Sequence, residues 1–418
     1  MHVSRDRFLE FAVLCALALL PVTFVFQLQL KSVLYVVLLM AAIYLLCTSA
    51  EARQTCGAFK PIALAFGLYL PYSLASVWLQ HGLPKAADNG AHFLFFLIIA
   101  VCFRKLRHQR IFWYGISAAA LAAGVLAMYQ RFGLNIGRPY GMYGINEIGM
   151  SGAIKFGMVT TVFSLLALLA ALDKRTPMQI RLCHASAALV GFAGCQVIGS
   201  RGPWLALVVI GTGMMTGKMV PLNGKRRWIA VFATLSCSIL LVVLFYRQLC
   251  IQFSSTADEL SAIYGGNFNT SIGARLEMSK AAMMIFIEHP FFGVGINQFG
   301  DHLRHLIASG QAPQFISIYD HTHNEYLEAL ATGGIVGIAY LLWLFGAPFA
   351  YFWRHFARRQ SKGSNTLAPL GGLITVLSFA SFAVGDNIFD RQVTTSLFAF
   401  LILGFAVMTA HKEPVAKA

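Results

Sequence analysis

Residues 329–353 read ALATGGIVGIAYLLWLFGAPFAYFW, a run of 25 residues without a charged side chain. A helix needs about 20 apolar residues to cross a bilayer, so this run predicts a membrane-spanning helix. Eleven further runs are long enough to span, at residues 9–28, 32–49, 61–80, 89–103, 111–130, 150–172, 182–200, 203–220, 228–247, 366–385 and 393–410. The predicted fold class is therefore an all-α polytopic membrane protein with about twelve transmembrane helices.

The composition of the whole chain agrees with a membrane protein and excludes an ordinary soluble one. Of the 418 residues, 57% are apolar and 12% are charged, and the mean hydropathy is +0.66. Soluble domains carry about 25% charged residues. The formal net charge of +15 would suggest nucleic acid on a soluble protein, but on a membrane protein it reports orientation. We therefore expect contacts with membrane lipids and no nucleic-acid partner.

The distribution of basic residues predicts which side of the membrane each connection faces. With a cytoplasmic N-terminus, 21 of the 32 lysines and arginines fall on the cytoplasmic side and ten fall outside, while Lys155 lies within a span. Cytoplasmic loops carry the excess of lysine and arginine, so we expect both termini in the cytoplasm. The first span resembles a signal peptide, but no clear small-x-small cleavage site follows it, and an uncleaved helix is expected.

One connection is long enough to have structure of its own. Within a single membrane domain of residues 1–418, it covers residues 248–328 on the outer side, and a structureless loop of that length is uncommon. Thr256 to Glu259 fits a capping box. Two apolar stripes at helical spacing predict amphipathic helices on the membrane or on top of the bundle. They are Ile272, Leu276, Met283 and Ile287, and then Phe299, Leu303 and Leu306.

The polar motif DHTHNEYLE at residues 320–328 directly precedes the run at 329–353. Thr322 and Glu325 have capping-box spacing, which predicts Thr322 as the N-cap and His323 as the first helical residue. The positive end of a helix disfavours imidazolium, so His323 would be neutral and able to accept a proton. On this helix His323 would share one face with Tyr326, Leu327 and Leu330, and Gly333, Gly334 and Gly337 would permit close approach of another helix.

Two other interpretations of the motif stay open. His323 can serve only as a cap or hydrogen-bonding group. Alternatively, His321 and His323 can bind a metal, although spacing in the sequence supplies no clear carboxylate or cysteine partner for them.

Three arginines run against the positive-inside bias. Arg201 lies in the tight outer turn after the run 182–200, Arg138 follows the run 111–130, and Arg275 opens the stripe at 272–288. Arginine forks match phosphate oxygens, so a ring of them at the outer interface would suit a lipid diphosphate. The alternative is snorkelling or head-group anchoring, which applies also to Lys155. The chain has no D-x-D motif to hold a divalent metal, so these arginines would stabilise a leaving diphosphate and no metal or cofactor is expected.

Four stretches together resemble bacterial O-antigen ligases and related polymerases. The first is His323-Asn324 followed, after nine residues, by Gly334-Ile335-Val336-Gly337. The other three, in chain order, are Arg138 to Asn146, Gly199 to Leu205, and Ser271 to Leu276 leading to His289-Pro290-Phe291-Phe292-Gly293-Val294-Gly295.

The resemblance implies a C-type glycosyltransferase-like fold in the bacterial inner membrane, with one large helical loop and an active site facing the periplasm. Ligases of this family move a glycan from undecaprenyl diphosphate to a sugar hydroxyl of lipid A-core. His323 matches the histidine taken as the base, and Arg201 and Arg275 match arginines assigned to the diphosphate. Arg138 matches a less regular arginine position. His321, Asn324, Tyr326 and Lys155 are secondary candidates.

The resulting hypothesis is an inverting, metal-independent O-antigen ligase. An O-antigen polymerase of the same family is the alternative within the family, and transfer to protein is less expected because such relatives tend to extend further past the last span. A transporter of lipid-linked sugars would use the same arginines but should carry ionisable residues at mid-membrane depth.

Overall fold

The computed structural model describes residues 2–26, 30–79, 87–105, 110–143, 151–200, 205–206, 246–361 and 364–410. All regular elements in these ranges are helical, which confirms the all-α fold class. In order, α1 to α15 are His2–Phe26, Leu30–Thr48, Ala50–Arg53, Lys60–Gly67, Tyr69–Leu79, Asp88–Ile99, Arg110–Met128, Ser151–Leu172, Met178–Ile198, Tyr246–Tyr264, Ser271–Glu288, Phe299–Ala308, Glu325–Ser361, Leu367–Gly385 and Gln392–Ala410. Short 3-10 or π turns cover Thr55–Phe59, Ala100–Lys105, Tyr129–Gly133 and Gln314–Ile316.

Nine stretches of the described chain are long and apolar enough to cross a membrane, and each matches a predicted span. The predicted span 89–103 is helical, but it consists of the 12-residue α6 and a six-residue 3-10 turn. With rises of about 1.5 and 2.0 Å per residue, the two together extend about 30 Å. The predicted spans 203–220 and 228–247 fall almost entirely outside the described residues.

Two groups of helices form the body of the described structure. Helices α7, α8 and α9 pack on one another. Helices α13 and α15 each pack on α14. Helix α14 also packs on α8, which joins the two groups. Small residues allow close packing: a Cβ atom on Gly124 of α7 would lie 2.2 Å from the Val190 carbonyl oxygen on α9. The contact between α8 and α14 brings the first turn of α8 beside the residues that follow α14.

The connection 248–328 contains α10, α11 and α12, and one detail predicted for it, the capping box, is wrong. Helix α10 runs unbroken through Thr256 and Glu259, so these residues do not cap a helix. On α11 the predicted apolar stripe faces outward, and Ile287 is 71% exposed. The face that packs inward instead carries Gly273, Ala274, Met278, Ala281, Ala282 and Ile285. Small side chains let α11 approach α13 closely, so this face packs inward and the bulkier face does not.

The predicted stripe on α12 is confirmed, because Phe299, Leu303 and Leu306 are all buried. The charged pair Asp301 and Arg304 lies on the exposed side of the same helix. Helix α12 therefore packs by its apolar face against α11 and α13.

Helix α13 is broken at Gly334, where φ is 61°. The turn segment 290–295 forms hydrogen bonds with the break: Val294 N–H donates to the Ala331 carbonyl (3.1 Å), and Ile335 N–H donates to the Pro290 carbonyl (2.8 Å). A Cβ on Gly334 would lie 2.4 Å from the Phe291 carbonyl carbon, so only glycine fits there.

The three predicted glycines thus divide between two kinds of neighbour. The partner of Gly334 is the turn segment 290–295, and not the helix that the sequence predicted. Gly333 and Gly337 do face another helix, because a Cβ atom on either would lie 2.5 Å and 3.0 Å, respectively, from the hydroxyl oxygen of Tyr72 on α5.

Candidate active site

The candidate site lies at one end of the bundle, where four parts of the chain meet. They are the loop before α13, the turn 386–391 between α14 and α15, the first turn of α8 and the first turn of α11. Side chains from all four contribute polar atoms within a few ångströms of His323 or of its direct partners.

Asn324, and not Thr322, caps α13. Its Oδ1 accepts hydrogen bonds from the backbone N–H of Tyr326 (3.0 Å) and Leu327 (3.1 Å), so the helix begins at Glu325. His323 therefore precedes the helix and does not share a helical face with Tyr326. The reason is local: asparagine caps at least as well as threonine, and the Thr322 hydroxyl instead donates to the Asn324 carbonyl at 2.7 Å. This leaves His323 in the left-handed region, with φ at 53°.

His323 is held by an acid that the sequence did not single out. Its Nδ1 lies 2.9 Å from Oδ1 of Asp386. An ionised carboxylate only accepts, so Nδ1 carries the hydrogen and Nε2 keeps its lone pair. Burial, with the positive charges of His321 and Arg275, lowers the pKa of His323 below 6.5 despite the bond to Asp386. At pH 7 His323 is therefore a neutral base with a fixed tautomer.

Asp386 is in turn held by Lys155, the lysine within a span. The Lys155 ammonium lies 3.0 Å from Oδ2 of Asp386 and 2.9 Å from Oδ1 of Asp390, and it also donates to the Asn387 carbonyl. Its side chain is only 5% exposed, so the snorkelling interpretation is wrong. Burial alone would raise the pKa of Asp386, but Lys155 and the bond from His323 hold that pKa well below its usual range. Asp386 is therefore ionised.

His321 lies beside His323, with ring centroids 4.3 Å apart. Its Nδ1 bonds to Asp320 and its Nε2 lies 4.0 Å from Oδ1 of Asp386. Burial alone would lower the pKa of His321, but Asp320 and the other nearby acids raise it above 6.5. The pKa values of the two histidines are thus displaced in opposite directions: the nearby acids favour the charged form of His321, whereas burial favours the neutral form of His323.

The interpretation of the two histidines as metal ligands gains a carboxylate that the sequence did not reveal. Donor atoms of His321, His323 and Asp386 all lie within 4.8 Å of one another. Two histidines and one carboxylate are a ligand set that zinc accepts. However, the Lys155 ammonium is bound to the same carboxylate, and a cation on Oδ1 would displace the hydrogen bond from His323.

The three predicted arginines have different outcomes. Arg275, half-buried on α11, donates to the Gly385 carbonyl (3.1 Å), next to Asp386, and its charge lowers the pKa of His323. Arg138, also half-buried, lies in the loop 134–143. That loop packs on α8 at Phe156, the residue after Lys155, because Gly141 and Tyr143 both contact its ring. Arg201 lies outside the described residues.

Two glutamates fix the backbone around the site, although the sequence predicted only a capping-box role for Glu325 and no role for Glu328. Oε2 of Glu325 accepts from the N–H groups of Ile388 (2.7 Å) and Phe389 (3.1 Å), which ties α13 to the turn 386–391. Oε2 of Glu328 accepts from Thr322 N–H at 2.9 Å, which holds the loop that carries the histidines. Of the secondary candidates, Tyr326 ties α13 to α14 through its hydroxyl, which donates to the Ala380 carbonyl.

Comparison with known proteins confirms the resemblance that the motifs indicated. The family described as O-antigen ligase matches residues 186–342. The chain is 24% identical over 297 residues to an uncharacterised protein of Haemophilus influenzae, covering 70% of this chain and 72% of that protein. It is 26% identical over 168 residues to the O-antigen ligase of Escherichia coli K12, covering 39% of this chain and 37% of the relative. The family match includes Arg201, Arg275 and His323, whereas Lys155 and Asp386 lie outside it.

Proposed function

We propose that this chain, whose residues 186–342 match the O-antigen ligase family, transfers a glycan from undecaprenyl diphosphate to a sugar hydroxyl of lipid A-core. The match to this family supports a role in the ligation or polymerisation steps of lipopolysaccharide synthesis. The observation that carries the specific proposal is the bond between His323 and Asp386, because it leaves a neutral imidazole with a free Nε2.

In the proposed step, Nε2 of His323 takes the proton of the acceptor hydroxyl while its oxygen attacks the anomeric carbon of the donor. A bond between this oxygen and the anomeric carbon forms as the bond from that carbon to the diphosphate breaks. Undecaprenyl diphosphate leaves with the electron pair, and the proton stays on His323. Ionised Asp386 stabilises the resulting imidazolium. Direct displacement inverts the anomeric centre, and no second nucleophile is proposed.

The diphosphate requires positive charge on the side of the leaving group. Arg275 supplies one guanidinium beside the base, and its half-buried position strengthens its electrostatic effect. Arg201 and Arg138 remain proposals as further diphosphate ligands, from the family motifs they match. Arginine suits this role because its fork binds two phosphate oxygens at once.

We further propose that no metal takes part. Lys155 occupies the environment of Asp386 with a positive charge that a divalent cation would have to overcome. Transfer by purified protein from undecaprenyl-diphosphate glycan to lipid A-core should therefore continue in EDTA. Loss of transfer in EDTA, restored by zinc, would favour the ligand set of His321, His323 and Asp386 as a metal centre.

The orientation is proposed from the same geometry. The candidate site gathers the starts of α8, α13 and α15 with the end of α14, and the charge distribution predicts that all four face outward. Arg354, Arg358 and Arg359 lie near the other end of α13. This supports a multi-pass protein of the bacterial inner membrane, with both termini in the cytoplasm and the site facing the periplasm.

A deletion strain tests the reaction. For a ligase, lipid A-core should lose all O-glycan while lipid-linked polymer accumulates, and expression of the wild-type chain should reverse both. A single repeat unit left on the core would identify a polymerase instead. A transporter would move the lipid-linked donor across the liposome membrane without acceptor, and it would transfer no glycan when acceptor is added.

A further inference from the structure

Lys155 is the buried charge in the described structure that the proposed chemistry does not itself require. It lies in the first turn of α8, outside the matched residues 186–342, and does not touch His323 directly. Nevertheless its ammonium contacts Asp386 at 3.0 Å on the carboxylate oxygen opposite to the one that holds His323. Asp390 binds the same ammonium at 2.9 Å. The four side chains form one line of charge: Asp390, Lys155, Asp386 and His323.

A buried acid keeps its charge only when a partner compensates it. Asp386 is 3% exposed, so without Lys155 burial would favour uptake of a second proton by the Asp386–His323 pair, beyond the one that Nδ1 already carries. A protonated pair has no lone pair available for an acceptor hydroxyl. By compensating the charge of Asp386, Lys155 therefore affects the protonation of His323, although Asp386 lies between the two side chains.

We propose that Lys155 is a positioning residue that sets the pH range in which His323 acts as a base, by compensating the charge of Asp386. This inference rests on the proposed glycan transfer. Asp390 has the opposite influence, since it draws part of the Lys155 charge away from Asp386.

Other charges also face this line, and they fix what the test must hold constant. Among the described residues these are Arg275 on α11, Asp320 and His321 in the loop before α13, Glu325 and Glu328 on α13, and Arg391 beside Asp390. None of these residues is altered in the variants below, so a shift in the pH profile reports the line itself.

The test measures initial rates of transfer against pH for purified wild-type protein and three variants. In Lys155→Met the loss of positive charge lets the His323–Asp386 pair hold its proton to higher pH. We expect the acidic limb of the profile to move up by about one pH unit or more, with activity partly recovered on the alkaline side. Lys155→Arg keeps the charge, and its limb should stay near that of the wild type even if its maximal rate falls.

Asp390→Asn gives a shift of opposite sign. It leaves the whole Lys155 charge on Asp386, so the acidic limb should move to lower pH. This variant also decides the question if Lys155→Met does not fold.

Two results would overturn the inference. A uniformly lower rate in Lys155→Met, with the limb unmoved, means that the lysine is only structural and overturns the inference. An unmoved limb in Asp390→Asn has the same consequence. If the wild type itself transfers no glycan, the proposed function fails, which is a different result from wild-type transfer with unshifted variants.

Discussion

The loop 320–324 and the turn 386–391 meet at the same end of the bundle, and each binds a histidine through an aspartate. The loop's acid, Asp320, has a side chain that is 84% exposed, whereas the turn's acid, Asp386, is 3% exposed. The Asp320 carboxylate is open to water, whose screening reduces the contribution of its pair with His321 to stability to about 0–1 kcal/mol. A buried pair fixes both orientation and charge state. The same pairing of residue types therefore orients the base in one segment and acts on that base only indirectly, through the charge of His321, in the other.

The largest expected effect breaks the buried pair. In Asp386→Asn the amide can present its NH2 group to Nδ1, which reverses the tautomer of His323 and removes the lone pair from Nε2. We expect the transfer rate to fall by about 10²–10⁴-fold. The matched change Asp320→Asn in the exposed pair should cost less than about fivefold. Equal losses in the two variants would remove the distinction between the segments.

The pH profile of the transfer rate reports the protonation of His323 and the influence of His321 on it. Because burial lowers the pKa of His323, the neutral base persists below pH 6.5, and the midpoint of the acidic limb should lie below that value. The charge of His321 contributes to this lowering, so His321→Gln should move the midpoint upward. Initial rates between pH 5 and 8 measure both. A wild-type midpoint above 6.5 would contradict the environment described for His323.

A smaller effect is expected on the side of the leaving group. Arg275→Lys keeps the charge but loses the planar fork, so transfer should fall by about 10–100-fold. Arg304→Lys on the exposed face of α12 is the control and should transfer like the wild type. Equal rates in the two variants would mean that Arg275 only anchors the end of α14 through the Gly385 carbonyl.

The smallest effect concerns the cap that places the loop. Asn324→Ala removes the acceptor for Tyr326 and Leu327 N–H, and should lower the free energy of unfolding by about 1 kcal/mol. Asn324→Ser keeps a capping oxygen and should lose much less. Thermal unfolding in detergent compares them. An unchanged midpoint in Asn324→Ala would restore Thr322 as the cap.

The apolar runs predicted most of the fold because a bilayer imposes a length and polarity that each helix must meet on its own. Nine spans of the described chain follow those runs. Local sequence patterns did not predict the features that tertiary packing determines. Helix α11 turns its small residues inward, and the break in α13 at Gly334 is formed with a segment some forty residues earlier in the chain.

The site was predictable as far as it is local. His323 and Arg275 were found because motifs mark them, and both lie at the site. Asp386 and Asp390 were missed because their role depends on ion pairs with Lys155, which lies more than 200 residues away in sequence. One signal was present: a lysine in a span with no local partner, and two acids in the short connection between the last two spans.

The central claim is that neutral His323, held by Asp386, is the base of a glycan transfer. Its most direct test is the initial rate of transfer from undecaprenyl-diphosphate glycan to lipid A-core, in EDTA, for purified His323→Ala beside His305→Ala, an exposed histidine on α12. We predict that His323→Ala loses at least about 100-fold in rate while His305→Ala matches the wild type. Transfer by His323→Ala at the wild-type rate would contradict the account.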